Sequence, residues 1–208
     1  MIIPRLIYGG SFNPVHKGHL ATIEYILKEQ ICYEIFIIPT YQSPLKEKNQ
    51  YAPAEIRFEI LQIALRSYFN DDLYNKIKLL DIEIKEKTIN YTANTLRKLQ
   101  DNIKTGLLLG ADSLETLHLW KEIEWILTYY PIFIIQRASQ SLKKTKKQIQ
   151  QLKSFFPMGE FIILEFTPPN CSSSDIRKKI QESINYESLK DCLLPEVYSL
   201  IKKYKLYL

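Results

Sequence analysis

Cysteine, histidine and long apolar runs are all scarce in this chain of 208 residues. Its cysteines, Cys32, Cys171 and Cys192, are odd in number and widely spaced, so no disulfide framework is expected. None has a partner at Cys-x-x-Cys spacing. The histidines, His16, His19 and His118, supply one close pair, too few ligands for a zinc site. No apolar run approaches the roughly 20 residues that a membrane helix needs. The N-terminus enters an apolar stretch directly, without a basic region or a small-residue cleavage site. No signal peptide is therefore expected, and the reading is cytoplasmic. Internal repeats and low-complexity tracts are absent as well.

What remains is ordinary for a folded domain: 46% hydrophobic and 25% charged residues. The length suits one domain spanning 1–208, with a helical C-terminal portion at about 173–208. The formal net charge is +5, with basic residues mostly interleaved among acidic ones. The densest cluster, Lys143-Lys144-Thr145-Lys146-Lys147, lies in a polar segment from Ser139 to Ser154. It reads as a solvated helix face or loop, with nucleic-acid binding the minority reading. A moderate positive balance also suits an enzyme acting on phosphate-rich substrates, through steering.

Apolar, β-branched runs alternate with helical patterns. The strand candidates are Ile2–Tyr8, Glu34–Ile38, Ile77–Ile84, Gly106–Leu109, Ile132–Ile135 and Phe161–Leu164. Helical patterns fall at about 17–29, 54–68, 92–102, 112–127 and 140–153, then Ser173–Ser183 and Pro195–Tyr204. Nearly continuous apolar strands separated by helices predict an α/β fold, a doubly wound, mostly parallel sheet of Rossmann-like type with a helical C-terminal part. In such sheets ligands sit at the carboxyl ends of the strands, where the strand order reverses.

The loop after the first strand is the richest segment: Gly9-Gly10-Ser11-Phe12-Asn13-Pro14-Val15-His16-Lys17-Gly18-His19. A strand, a glycine-turned loop and a helix start make an anion site, because free N–H groups and the positive dipole end point the same way. His16 and His19 are one helical turn apart and project toward it. Taken alone, Gly-Gly is a tight turn and His-x-x-His is half a metal site; the combination favours phosphate. The pattern GxFxPxHxGH resembles the nucleotidylyltransferase superfamily, whose members transfer a nucleotidyl group from a triphosphate and release pyrophosphate. Further on, Ser172-Ser173-Ser174-Asp175-Ile176-Arg177 opens a helix after Pro168-Pro169. By itself it is an N-cap followed by a first-turn arginine. It resembles the superfamily's ISSTxxR segment, with Cys171 in place of isoleucine and Ser174 in place of threonine.

Between these motifs, Gly110-Ala111-Asp112-Ser113 with Trp120, Asn90-Tyr91-Thr92-Ala93, and Arg137 after a strand together resemble the bacterial nicotinate-nucleotide adenylyltransferases. The resemblance runs from Ile3 to about Lys205. It implies adenylyl transfer from ATP to nicotinate mononucleotide, giving deamido-NAD and pyrophosphate in NAD biosynthesis. His16, His19, Lys46 and Arg177 are the implied catalytic groups. Gly9, Gly10, Ser11, Phe12, His16, His19, Gly110, Asp112, Ser172, Ser173, Ser174 and Arg177 are implied at ATP. Asn13, Lys46, Tyr91, Thr92, Ala93, Asp112, Trp120 and Arg137 are implied at the acceptor, Trp120 stacking on the nicotinate ring. Read without the resemblance, Trp120 and Tyr91 are ordinary core aromatics. Leu45 stands where the family commonly has histidine in its Pro-rich loop, while Lys46 is kept. Mg²⁺ is expected to arrive with ATP, without dedicated protein ligands. Two rival readings stay open: a sister transferase using nicotinamide mononucleotide or phosphopantetheine, and a non-catalytic nucleotide- or RNA-binding protein. Oligomeric state is left open.

Overall fold

The computed structural model describes residues 2–42, 44, 51–137, 140–182 and 185–208. Its strands are β1 (Ile3–Gly10), β2 (Cys32–Pro39), β3 (Ile77–Leu79), β4 (Thr105–Gly110), β5 (Ile132–Ile135) and β6 (Phe161–Ile163). They form one parallel sheet in the order β3-β2-β1-β4-β5-β6. The helices are α1 (Lys17–Lys28), α2 (Ala54–Tyr68), α3 (Asp71–Tyr74), α4 (Ile82–Glu86), α5 (Thr92–Lys98), α6 (Ile123–Tyr129), α7 (Leu142–Phe155), α8 (Ser173–Gln181) and α9 (Pro195–Lys203).

Strand apolarity follows from burial on both faces, since side chains alternate across the sheet. Ile35 and Ile37 of β2, Leu108 of β4, and Phe133 and Ile135 of β5 face one core, shared with Leu20 and Ile23 of α1, Ile60 of α2, Ile176 of α8 and Val197 of α9. Ile38 of β2, Leu107 and Leu109 of β4, and Ile132 and Ile134 of β5 face the other, with Leu96 of α5, Ile126 of α6 and Leu152 of α7. The expected doubly wound sheet is therefore present, and the C-terminal helices complete one of its layers.

Strand order reverses between β1 and β4, which lie side by side although two strands separate them in sequence. That leaves an open crevice above the carboxyl end of β1. The register brings Gly10 level with Pro39, and Gly110 level with Ile135, so the loops after β1, β2, β4 and β5 share one rim.

Several boundaries differ from expectation. The run 77–84 is strand only through Leu79; residues 82–86 turn into α4, where Glu83 is buried and bonds across to α5 instead of continuing the edge strand. The run 112–127 is not one helix. It divides into 3-10 turns at Ala111–Glu115 and Leu117–Leu119, an extended Trp120, a left-handed Glu122 (φ 57°), and then α6. The helix expected over Ser173–Ser183 ends at Gln181, and Ser183 lies outside the described residues. No disulfide was expected, yet Cys171 and Cys192 are bonded, their Cα atoms 5.5 Å apart. Spacing conceals this pair because the chain folds back after α8 to bring the two together. Cys32 is the odd one, buried in the core, which pushes its thiol up to about 12. Among the described residues no helix is long and apolar enough to cross a membrane.

Candidate active site

Two cavities open on the crevice and meet at Gly9, Gly10, Ser11, Gly110, Asp112 and Ser113. The first, about 790 Å³, is lined by the β1–α1 turn, the histidine pair and the start of α8. The second, about 780 Å³, is lined by the end of β2, the start of α5 and the Leu119–Lys121 segment.

In the first cavity the β1–α1 turn carries Phe12 in the left-handed region (φ 44°) and a cis bond between Asn13 and Pro14. His16 is the N-cap of α1, and its ring stacks on that of His19, centroids 3.7 Å apart. The His16 backbone N–H donates to Nδ1 of His19 at 3.3 Å. A neutral His19 must then carry its proton on Nε2, which makes that atom a donor. Nδ1 of His16 is buried against Gly18 and the first turn of α1, where the His16 side chain forms a capping box with His19. Burial, and after it the positive charge of Arg137, holds the His16 imidazole down to about 3. Gly18 permits this close stacking: a Cβ there would lie 3.1 Å from the His16 ring and 3.1 Å from the Pro169 carbonyl.

The start of α8 docks onto the same turn. Ser172 caps the helix, its hydroxyl accepting from the Asp175 N–H at 3.4 Å. The Ser173 hydroxyl donates to the Pro14 carbonyl at 2.9 Å, and Nη1 of Arg177 donates to the Asn13 carbonyl at 2.8 Å. Across the mouth, Nε of Arg137 donates to Oδ1 of Asp112 at 3.0 Å, both side chains well exposed. All twelve residues expected at ATP line this cavity.

The residues expected at the acceptor divide. Tyr91, Thr92 and Trp120 line the second cavity, and Asp112 lines both. Asn13 and Arg137 line the first instead. Ala93 is fully buried in the core and lines neither, so the structure does not bring it to the site. Lys46 and Leu45 lie outside the described residues.

Three groups in the second cavity escaped the sequence reading or its chemistry. Glu83 and Asn90 are buried, and Oε2 of Glu83, Oδ1 of Asn90 and Nε1 of Trp120 have no hydrogen-bond partner among the described residues. Glu83 Oε1 accepts from the Thr95 hydroxyl at 2.6 Å, and burial pushes the carboxyl above its ordinary range. The cavity thus holds one unpaired donor and two unpaired acceptor oxygens around an aromatic wall. Another missed group is Arg57, buried on the apolar stripe of α2 with Ile60, Leu61 and Ala64. A charge on a buried helical stripe was the signal available for it.

A folded-state imidazole held well below its unfolded value makes stability fall on acidification. The unfolded chain takes up a proton that the folded chain refuses. With an unfolded pKa of about 6.5, His16 should withdraw about 2 kcal/mol between pH 7 and pH 5. Urea unfolding of wild type and His16→Asn at both pH values checks this. The wild type should lose about 2 kcal/mol more than the variant, and equal losses would show that His16 titrates normally.

Comparison with known proteins places the chain in a family. A family model described as cytidylyltransferase-like matches residues 7–179. A probable nicotinate-nucleotide adenylyltransferase of Clostridium acetobutylicum is 30% identical over 206 residues, covering 98% of this chain and 98% of that protein. One from Aquifex aeolicus is 37% identical over 156 residues, covering 74% of this chain and 86% of its own length. In fold, the chain resembles the Plasmodium falciparum nicotinic acid mononucleotide adenylyltransferase complexed with NaAD, with a TM-score of 0.78 at 22% identity over 99% of this chain and 97% of that one.

Proposed function

We infer the reaction from family membership: the chain belongs to the nicotinate-nucleotide adenylyltransferases, within the cytidylyltransferase-like family. It transfers the adenylyl group of ATP to nicotinate mononucleotide, forming deamido-NAD and releasing pyrophosphate. The observation that best supports this at residue level is the stacked His16–His19 pair beneath a cavity walled by the hydroxyl-rich start of α8.

The phosphate of the acceptor attacks the α-phosphorus of ATP in line, and the bond to the pyrophosphate oxygen breaks. That nucleophile is already anionic at neutral pH, so no strong base is needed. Positioning and charge stabilisation carry the catalysis. In our reading Nε2–H of His19 donates to the phosphate oxygens that gain charge, while His16, kept neutral, adds a polar contact without drawing a proton. The hydroxyls of Ser172 and Ser174, the Ser173 backbone N–H and Arg177 take the β- and γ-phosphates, and Lys46 adds charge. Mg²⁺ enters as part of the MgATP substrate.

The second cavity suits the acceptor. Trp120 offers a stacking face, Thr92 offers a donor, and the oxygens of Glu83 and Asn90 answer the ribose hydroxyls. Asp112 stands at the junction of the cavities, where the two nucleotides would meet, and Arg137 donates to it from the ATP side.

Two outcomes check this assignment. His19→Ala should lower kcat by about 10²-fold while ATP affinity changes less, because its hydrogen bond strengthens as charge develops. Steady-state turnover together with calorimetric ATP binding measures both, and near-normal kcat would leave His19 a structural role. Pyrophosphate release with each acceptor tests specificity. A carboxylate presents acceptors only, so nicotinate mononucleotide should exceed its nicotinamide counterpart in kcat/KM by at least about tenfold. Equal values would mean that the amide's donors find the Asn90 or Glu83 oxygen.

A further inference from the structure

Arg57 is 1% exposed, yet among the described residues no carboxylate lies within ion-pairing distance of it. Its guanidinium spends its donors on backbone carbonyls alone. Nε donates to Ala52 at 3.0 Å, Nη1 to Ser11 at 2.6 Å, and Nη2 to Thr40 at 2.8 Å and Tyr41 at 3.0 Å. Burying an unpaired cation is costly, and an apolar side chain would fill the same stripe of α2 without that cost. What the charge accomplishes is visible in its partners. It gathers three separate segments, the β1–α1 turn, the end of β2 and the lead-in to α2, at one point.

A second donor, from half-buried Tyr207 beyond α9, reaches the same turn. The Tyr207 hydroxyl donates to Oδ1 of Asn13 at 2.7 Å, beside the Ala52 N–H, which donates to the same oxygen at 3.1 Å. Asn13 in turn offers its carbonyl to Arg177. Ser11 and Asn13 line the first cavity, whereas neither Arg57 nor Tyr207 lines either one. Both side chains therefore act on the turn from behind.

We propose that Arg57 and Tyr207 are positioning residues that hold the β1–α1 turn in its triphosphate-binding shape without touching the nucleotide. The proposal rests on ATP occupying the first cavity. It gives the C-terminal residues a part in catalysis: the chain must be folded to its end before residues 11–13 are fixed. It also separates the two donors by reach. Tyr207 grips only Asn13, on the ATP side, whereas Arg57 also holds Thr40, which lines the second cavity.

Tyr207→Phe removes one hydroxyl and keeps the ring. In the full-length enzyme it should raise the calorimetric Kd and the KM for ATP about three- to tenfold, with KM for nicotinate mononucleotide unchanged. Arg57→Lys keeps the charge but loses the fork, and should lower kcat/KM for ATP by about 10- to 100-fold and raise KM for the acceptor as well. Thermal unfolding of each variant shows whether it is folded. A purely structural role would lower Tm and the active fraction while leaving the ATP Kd of the folded protein at the wild-type value. That unchanged Kd in Tyr207→Phe would overturn the proposal whether or not Arg57→Lys folds. Wild type measured alongside keeps the two questions apart. If it binds no ATP, the reaction itself is misassigned. If it binds ATP and Tyr207→Phe binds it equally well, only the positioning roles fail.

Discussion

A phosphate-binding turn cannot hold itself in shape, because the face that would otherwise be packed must stay open to the ligand. Much of this molecule is arranged around that constraint at residues 10–16. Carbonyls of the turn are occupied: Ser11 by Arg57, Asn13 by Arg177 and Pro14 by Ser173. The supports come from α2 and α8, distant in sequence and packed into one core on the same side of the sheet. The parallel order with its reversal beside β1 is what brings them to one place. Fold and site are thus one problem, since a change in strand order would scatter the supports.

The same crowding sets the electrostatics. His16 is kept neutral by burial and by Arg137, so the cavity meets its ligand with polar donors and a few fixed cations, without a labile proton. The second cavity is different in kind. It has an aromatic wall, a buried Glu83 and two unpaired oxygens, features that fit a ring and hydroxyls better than a chain of phosphates. Among the described residues the two share Gly9, Gly10, Ser11, Gly110, Asp112 and Ser113, so they meet at the strand ends.

Local pattern made a large part of this legible. Continuous apolar strands specify a sheet buried on both faces, and the spacing of His16, Gly18 and His19 brings both rings together at a strand–helix junction. Such features depend on neighbours in sequence. The features that were not legible depend on neighbours in space. The Cys171–Cys192 bond forms only once α8 and the following segment fold back together. The break at Trp120 pairs an extended residue with a left-handed Glu122, and the Ile123 N–H at the start of α6 donates back to the Trp120 carbonyl. Ala93 matched the family pattern but sits in the core, and Asn13 is committed to Ala52 and Tyr207 on the ATP side. Arg57 left a trace, as a charge on an apolar stripe, whereas nothing in sequence distinguishes Tyr207 from the chain's other tyrosines.

The central claim is that the β1–α1 turn directs attack to the α-phosphorus of ATP. The most direct measurement follows separate phosphorus labels in ATP during turnover with nicotinate mononucleotide. Label in the α-position should appear wholly in the dinucleotide, and label in the γ-position wholly in pyrophosphate, in equal amounts. Label from the γ-position in the acceptor, or release of orthophosphate in place of pyrophosphate, would contradict the account.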